Sequence, residues 1–470
     1  MNADHPATAC SPLGTVAGGD RLVPLLDGRH GRYVNLDSAA STPALCAVRD
    51  GVVAFLEWYS SVHRGAGFKS QLATKAYDDA RAIVAGFFGA NLQDRTVIFG
   101  KNTTEALNKL SYRLPLRADE VILSSVLEHH SNMLPWRLHG RVELVDCRAD
   151  GALDLDALAA RLRQRGPRVR LVAVTGASNV TGCISPIASL ARLAHEAGAE
   201  LLVDGAQLAP HRAIDMRALD DPERIDYLAI SGHKLYAPFG TGALIAPRAL
   251  LSRGVPEYVG GGQVEMVTLD DVLWSAPPDR DEAGSPNVVG AVAFALALKE
   301  LARLGMENVA AHEIFLTQYA LKRLAAVPGI RLLGDCDPAR AAGRTGVISF
   351  LLAGKPSFMV AAILSAEAGI GVRAGCFCAH PYLLRLLGVS AAEQDLVLQQ
   401  ILNNDRSHVP GAVRASFGIY STCDDVDALA DALTMIAEDR YQGVYDLDLP
   451  SGTYTPRGFA PDFAGYFSLS

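Results

Sequence analysis

The chain has 470 residues, 49% of them hydrophobic and 20% charged, with a formal net charge of −8. Those are the proportions of a soluble globular protein, and the acidic balance weighs against nucleic acid as the main partner. The longest apolar run, 288–298, is too short to span a bilayer, and the first residues show neither the basic segment nor the apolar run of a secretory signal.

The eight cysteines are scattered except for Cys376 and Cys378, with no CxxC and no framework spacing. Reduced thiols in a cytoplasmic chain are expected from that usage. Residues 1–30, rich in Gly, Pro and Ala, read as an irregular arm. A short strand starts at Tyr33 and runs into the small-residue turn 37–40. Helical spacing over 48–59 is followed by a glycine-containing loop, 61–67, whose His63 and Arg64 could bind an anion, and by an amphipathic helix over 73–88. A strand at 96–99 leads through Gly100 to Thr103 and Thr104 and a helical run ending near Tyr112. First-turn N–H groups are unpaired and the helix dipole favours negative charge, so this is a ready anion site. The same residues also suit ordinary N-capping, and the sequence does not choose between the two.

Strands and helices then alternate. Strands are expected at 121–124, 142–145, 170–175, 200–204, 227–230 and 242–246, with helices at 155–163 and 187–197. This α/β pattern predicts a mostly parallel sheet covered by helices on both faces, and ligands of such sheets sit outside the carboxyl ends of the strands. His129, Asn179, Asp204, Gln207, His233 and Lys234 all follow strand ends. A lysine at the mouth of a buried strand is unusual, because an ammonium without a partner there is costly.

Turn-rich loops at 259–262 and 282–287 precede a helical run at 289–304. The organisation expected is an arm, 1–45, packing with the small domain; a large domain, 46–290; a small α+β domain, 291–440; and an irregular, aromatic-rich tail, 441–470. The small domain should contain strands at 345–352 and 413–417 and helices at 357–367 and 426–439, with a strand from Ile370 entering the Cys376-Phe377-Cys378 loop. A helical insert is expected near 381–410.

Pyridoxal phosphate needs a lysine to hold its aldehyde as a Schiff base, a carboxylate at its ring nitrogen, phosphate donors and a flat neighbour. Lys234 offers the amine. Asp204 offers the carboxylate, thirty residues earlier, which is ample for one crossover. Thr103, Thr104, Ser231 and His233 offer donors. His129 offers the ring, with Gln207 or Asn179 near the phenolic oxygen. Singly, Asp204 suits a helix cap and His129 an ordinary histidine; their joint occurrence on one sheet edge carries the inference.

Leu36-Asp37-Ser38-Ala39-Ala40-Ser41, Val62-His63-Arg64-Gly65, Thr103-Thr104-Glu105, Glu128-His129-His130, Ser178-Asn179, Val203-Asp204-Gly205-Ala206-Gln207, Ser231-Gly232-His233-Lys234, the loop 282–287, Arg373-Ala374-Gly375 and Arg414-Ala415-Ser416 stand in one order along the chain. With these motifs the chain resembles the fold-type I, class V pyridoxal-phosphate enzymes, and among them the group II cysteine desulfurases and selenocysteine lyases. The resemblance implies a large domain with a mostly parallel sheet and a smaller α+β domain. It implies Lys234 as the Schiff-base lysine, Asp204 at the ring nitrogen, His129 stacked on the ring, and Thr104, Ser231 and His233 on the phosphate. It implies Arg414 as the clamp on the substrate carboxylate, with Arg373, Asn179 and His63 lining the pocket. It also implies a homodimer in which Ser285 reaches the neighbouring cofactor.

Cys378, five residues after Arg373, matches the thiol that takes sulfur from L-cysteine as a persulfide and releases alanine; the resemblance implies that the sulfur passes on to an acceptor protein or a biosynthetic pathway, without naming which. Cys376 either relays sulfur or packs. Cys376-Phe377-Cys378-Ala379-His380 lacks a nearby fourth ligand for a closed metal site, so no metal is expected. Two other readings stand beside this one. The first is another class V reaction (epimerase, lyase or aminotransferase) in which Cys378 carries no sulfur. The second is a non-catalytic protein that keeps the fold as an interaction surface.

Overall fold

The structure, a computed structural model, describes residues 10–63 and 65–469. Among these residues the centre is a seven-stranded sheet in the order Arg95–Gly100, Gly242–Pro247, Tyr227–Ser231, Glu200–Asp204, Val169–Thr175, Val121–Ser125, Arg141–Val145. Gly242–Pro247 is antiparallel to both neighbours and the other six strands run one way.

Successive side chains of a strand point to opposite faces, and here the two faces feed separate cores. Leu201, Val203, Leu228 and Ile230 pack with Val48, Tyr77 and Phe294 from helices Cys46–Leu56, Phe68–Phe87 and Val288–Leu304. Leu202, Ala229, Leu171 and Ala173 pack on the other face with Leu107 and Leu110 of helix Thr103–Arg113. Strands buried on both sides read as continuous apolar runs, which is why the periodicity found them.

Helix Val288–Leu304 buries Ala291, Phe294, Leu298 and Leu301 in the first of these cores. The division expected at residue 290 therefore falls inside its first turn. The next helix, Met306–Ala325, joins the two units. Met306 and Val309 belong to the large core, whereas Leu316, Leu321 and Leu324 belong to a second one. That core is closed by helices Ser357–Ala368 and Cys423–Ala437 over an antiparallel sheet, in the order Ile330–Leu332, Val347–Leu352, Ala412–Ser416, Arg373–Gly375.

Three expectations need correction. The arm is not irregular throughout: Leu22–Pro24 pairs with His30–Arg32 across the Asp27-Gly28 turn, where Gly28 has φ 84°, a glycine conformation that composition alone did not reveal. Val34–Asn35 then pairs with Ile370–Gly371 of the small unit. The tail is likewise ordered, as a hairpin of Tyr445–Asp448 with Thr453–Pro456. Glu367 holds it by accepting from Gly443 N–H at 2.9 Å and Tyr445 O–H at 3.0 Å. Finally, the cysteines are not all reduced thiols. Cys10 is bonded to Cys423, 413 residues away, because the arm folds back over the start of helix Cys423–Ala437; the other six are free.

The insert forms two helices, His380–Leu387 and Ala391–Leu402, the second opened by a Ser390–Glu393 capping box. No helix among the described residues is long and apolar enough to cross a membrane.

Candidate active site

A cavity of about 300 Å³ opens at the carboxyl ends of the parallel strands. Thr175, Asp204 and Ser231 form its floor, while Ala39 and Ala40 come from the arm and Arg373, Cys378 and Arg414 from the small unit.

Strand Tyr227–Ser231 ends in a single tight turn, Gly232–Lys234. A Cβ on Gly232 would stand 2.7 Å from Thr241 O, so the turn needs glycine there. The arm braces it: Thr42 N–H donates to His233 O at 2.9 Å, and Thr42 Oγ1–H does so at 3.1 Å. Lys234 faces the cavity. Burial lowers its pKa to about 8, an effect opposed by Asp204 and reinforced by Arg414. Asp204, buried at the end of the neighbouring strand, accepts from Ala206 N–H at 3.0 Å. Burial raises its pKa, while Ala206 and Lys234 oppose that.

The cap at this helix is neither threonine. Asn102 caps the helix, its Oδ1 accepting from Glu105 N–H at 3.1 Å, which leaves both threonines to line the cavity. Thr103 N–H donates to Ser231 Oγ at 2.8 Å, and Thr104 Oγ1 lies 2.7 Å from Ser131 Oγ. These hydroxyls, with His233, surround the helix start, a donor set suited to a phosphate.

Half-buried His129 accepts from Ser131 N–H at Nδ1, at 3.1 Å, so the ring proton belongs on Nε2. Burial, with Lys234, His130 and Arg414, lowers its pKa to about 4. Beneath it Glu128 is fully buried, accepting from Ser125 Oγ–H at 2.6 Å and Asn132 Nδ2–H at 2.7 Å. Burial raises the Glu128 pKa to about 8. Gln207 donates to Ala39 O at 2.6 Å, and its buried Oε1 has no partner among the described residues. A flat phosphate-bearing aldehyde with a phenolic hydroxyl fits this set: Lys234 for the aldehyde, Asp204 for a ring nitrogen, and Gln207 Oε1 for the hydroxyl.

Arg414 is buried in strand Ala412–Ser416, its guanidinium 4.8 Å from the Phe377 ring. It donates to Asn179 O at 3.0 Å, and Asn179 Nδ2–H donates to Phe377 O at 2.6 Å. Arg373 stands directly across the ladder from Arg414. Asp37 joins them, with Oδ1 3.1 Å from Arg414 Nη2 and Oδ2 2.7 Å from Arg373 Nη2. Cys378 is exposed on the cavity wall. Phe377 and Cys378 have φ of 53° and 55°, a left-handed pair that costs on the order of 1 kcal/mol or more per residue. His130 N–H donates to Cys378 O at 2.8 Å and helps to hold it.

An aminotransferase class-V family model matches residues 34–429. The chain belongs to the class-V aminotransferase family. Its relatives include a cysteine desulfurase of Dickeya dadantii, 38% identical over 412 residues, covering 85% of this chain and 91% of that protein. A cysteine desulfurase of Haloferax volcanii is 34% identical, covering 93% and 96%. Among solved structures, the apo cysteine desulfurase of Thermococcus onnurineus aligns with a TM-score of 0.76 at 29% identity, covering 87% of this chain and 95% of that one. The cysteine desulfurase CsdA of Escherichia coli aligns with a TM-score of 0.71 at 33% identity, covering 87% and 96%. The large, mostly parallel sheet with a smaller α+β unit is the fold-type I architecture of these enzymes.

Two residues expected at the site of this class-V enzyme lie outside the cavity of a single chain. His63, at φ 71°, has its ring 5.9 Å from Tyr77. Ser285 is exposed beside a separate groove that Tyr77 also lines. Its loop is anchored by Glu282, which accepts from Tyr77 O–H and Phe99 N–H, both at 2.6 Å, and pairs with Arg81 at 2.9 Å. Arg64 lies outside the described residues. Cys376 is buried, with its Sγ–H donating to Pro410 O at 2.9 Å and its pKa pushed up by burial to about 11. Asp37 and Ser131 were missed as site residues. Asp37 lies in the segment Leu36–Ser41, and only the path of the arm brings it to the arginines.

Proposed function

We propose that the protein is a pyridoxal-phosphate-dependent cysteine desulfurase that converts L-cysteine to L-alanine and leaves the sulfur as a persulfide on Cys378. The observation that carries this reading is the exposed Cys378 thiol on the wall of the same cavity as Lys234 and Arg414.

Pyridoxal phosphate supplies an electron sink that makes the α-proton of a bound amino acid acidic. Thr103, Thr104, Ser231 and His233 would hold its phosphate, Asp204 its ring nitrogen and Lys234 its aldehyde carbon; His129 would lie on its ring. Arg414, stacked on Phe377, grips the substrate carboxylate. Lys234 Nζ, shifted towards neutrality by burial, takes the α-proton and later returns a proton to Cα. Cys378 attacks as the thiolate. The substrate Cβ–S bond breaks, an S–S bond forms on Cys378, and the carbon side keeps the electron pair and takes up a proton at Cβ. L-Cysteine and one thiol thus become L-alanine and one persulfide, with no outside oxidant.

The same reading makes the enzyme a homodimer, with His63 and Ser285 serving the neighbouring subunit's site. Exposed Tyr258, Val259, Met266, Val267, Leu269 and Leu273 near the Ser285 loop support this. A sulfur-acceptor protein is the natural recipient of the persulfide. The reading also places the enzyme in the cytoplasm, where the Cys10–Cys423 bond would be open to cellular thiol reductants.

The test is reconstitution with pyridoxal phosphate, incubation with L-cysteine and mass spectrometry of the protein. The expected outcome is alanine with a persulfide on Cys378. Alanine formation with a bare Cys378 would move the sulfur step elsewhere, and absence of alanine would leave another class V reaction in its place.

A further inference from the structure

Arg373 and Arg414 face each other across one ladder, an arrangement that like charges disfavour. Asp37 relieves it by giving one carboxylate oxygen to each. Backbone bonds hold Asp37 there: its N–H donates to Asn35 Oδ1 at 3.2 Å, its carbonyl accepts from Ala40 N–H at 3.0 Å, and it bridges to Ser416. The two arginines differ in freedom. Arg414 has 3% of its side chain exposed and is also held by Asn179 O, while Arg373 has 51% exposed. Arg414 lines the cavity, and its Nε is buried with no partner among the described residues. Arg373, unless tied down, would offer a full positive charge beside Cys378, where the substrate side chain must lie.

We propose that Asp37 is a specificity-determining residue: by tying Arg373 and Arg414 into a fork of one net positive charge, it admits amino acids with a single free carboxylate and disfavours those with an acidic side chain. The proposal rests on the reading of Arg414 as the carboxylate clamp. Specificity here comes from removing an attraction for the wrong ligand as much as from building one for the right ligand. A substrate carboxylate finds the Arg414 guanidinium at the cavity wall. A second acidic group finds Arg373 already paired and the Asp37 charge beside it.

The fork can be set to three charges in the holoenzyme. The wild type carries one net positive charge, Asp37→Asn two, and Arg373→Gln none. L-Alanine and L-aspartate serve as probes, with binding read from the cofactor absorbance and by calorimetry, so that cysteine turnover is not needed. The aspartate-to-alanine affinity ratio should rise by roughly tenfold in D37N, the scale of one charge pair at a partly exposed site, and fall below wild type in R373Q. The D37N gain should shrink in high salt.

An unchanged ratio in D37N, or equal weakening of both ligands, overturns the proposal and leaves Asp37 as a brace. Should D37N fail to fold, R373Q alone decides: a ratio at or above wild type refutes it. Failure of the desulfurase reading would appear separately, as no alanine from L-cysteine in a wild type that still ranks the two probes. Failure of the clamp reading would appear as alanine binding that survives Arg414→Gln.

Discussion

Ser131 N–H donates to His129 Nδ1 at 3.1 Å, and Ser131 Oγ lies 2.7 Å from Thr104 Oγ1. One small residue therefore sets both the tautomer of the ring and the place of the Thr104 hydroxyl. With its pKa near 4, His129 stays neutral through the physiological range. Its contribution to stability is complete above the ordinary 6.5 and is lost as pH falls through about 4. Nitrogen-15 spectra of the labelled protein should show a neutral, Nε2-protonated ring at pH 6. Ser131→Ala removes only the hydroxyl and keeps the main-chain N–H on His129 Nδ1, so the ring should stay Nε2-protonated while kcat falls by no more than roughly three- to tenfold, the cost expected for one hydrogen bond lost at Thr104.

Burial lowers the Lys234 pKa to about 8. Only the neutral amine attacks an aldehyde, so the rate of pyridoxal phosphate capture should rise with pH around a midpoint near 8 rather than 10.5. The contribution of this group to stability is complete above 10.5 and lost as pH falls through about 8. Stopped-flow absorbance against pH measures the midpoint, and a value near 10.5 would contradict the burial account. Lys234→Ala should show no Schiff-base absorbance.

Glu128 holds the turn beneath His129 and is uncharged at neutral pH, with a pKa of about 8. A raised carboxyl favours folding below its ordinary 4.5 and loses that contribution as pH rises through about 8. Glu128→Gln removes the titration. The melting temperature of the wild type should therefore fall relative to that of E128Q as pH rises from about 4.5 to about 8, and the difference should level off above that. A difference that stays flat from pH 6 to 9 would mean that Glu128 does not titrate there.

Cys376 packs against Pro410 O, whereas Cys378 is exposed at the cavity. Cys376→Ser keeps a hydroxyl in place of the thiol and should retain alanine formation within roughly threefold, as is usual for a near-isosteric change away from reacting atoms. Cys378→Ala should abolish persulfide formation and lower kcat by at least about a hundredfold, the scale of lost covalent catalysis. Equal losses in the two variants would assign Cys376 a relay role.

The Cys10–Cys423 bond closes a loop of most of the chain. Cross-links of this kind stabilise by about 2–4 kcal/mol. Dithiothreitol, or Cys10→Ser, should lower the melting temperature by several degrees, as expected for that loss in a protein of this size. Thiol titration in denaturant should rise from six to eight on reduction.

The strand-end residues were legible from local pattern. Apolar runs buried on both faces and the turns after them located Asp204, Ser231 and Lys234, since strand period and turn chemistry are properties of neighbouring residues. The arm and tail hairpins were obscured because their strands are short and half exposed, giving a weak alternation.

By itself the sequence determined the alternating sheet, the lysine at its mouth and the polar groups gathered at the strand ends. Only the tertiary structure decided that Asp37 lies between Arg373 and Arg414, that Cys10 meets Cys423, and that His63 and Ser285 stand away from the cavity of their own chain. Those relationships join residues tens to hundreds of positions apart. They depend on how the arm and the small unit pack across the large one, which no local periodicity records.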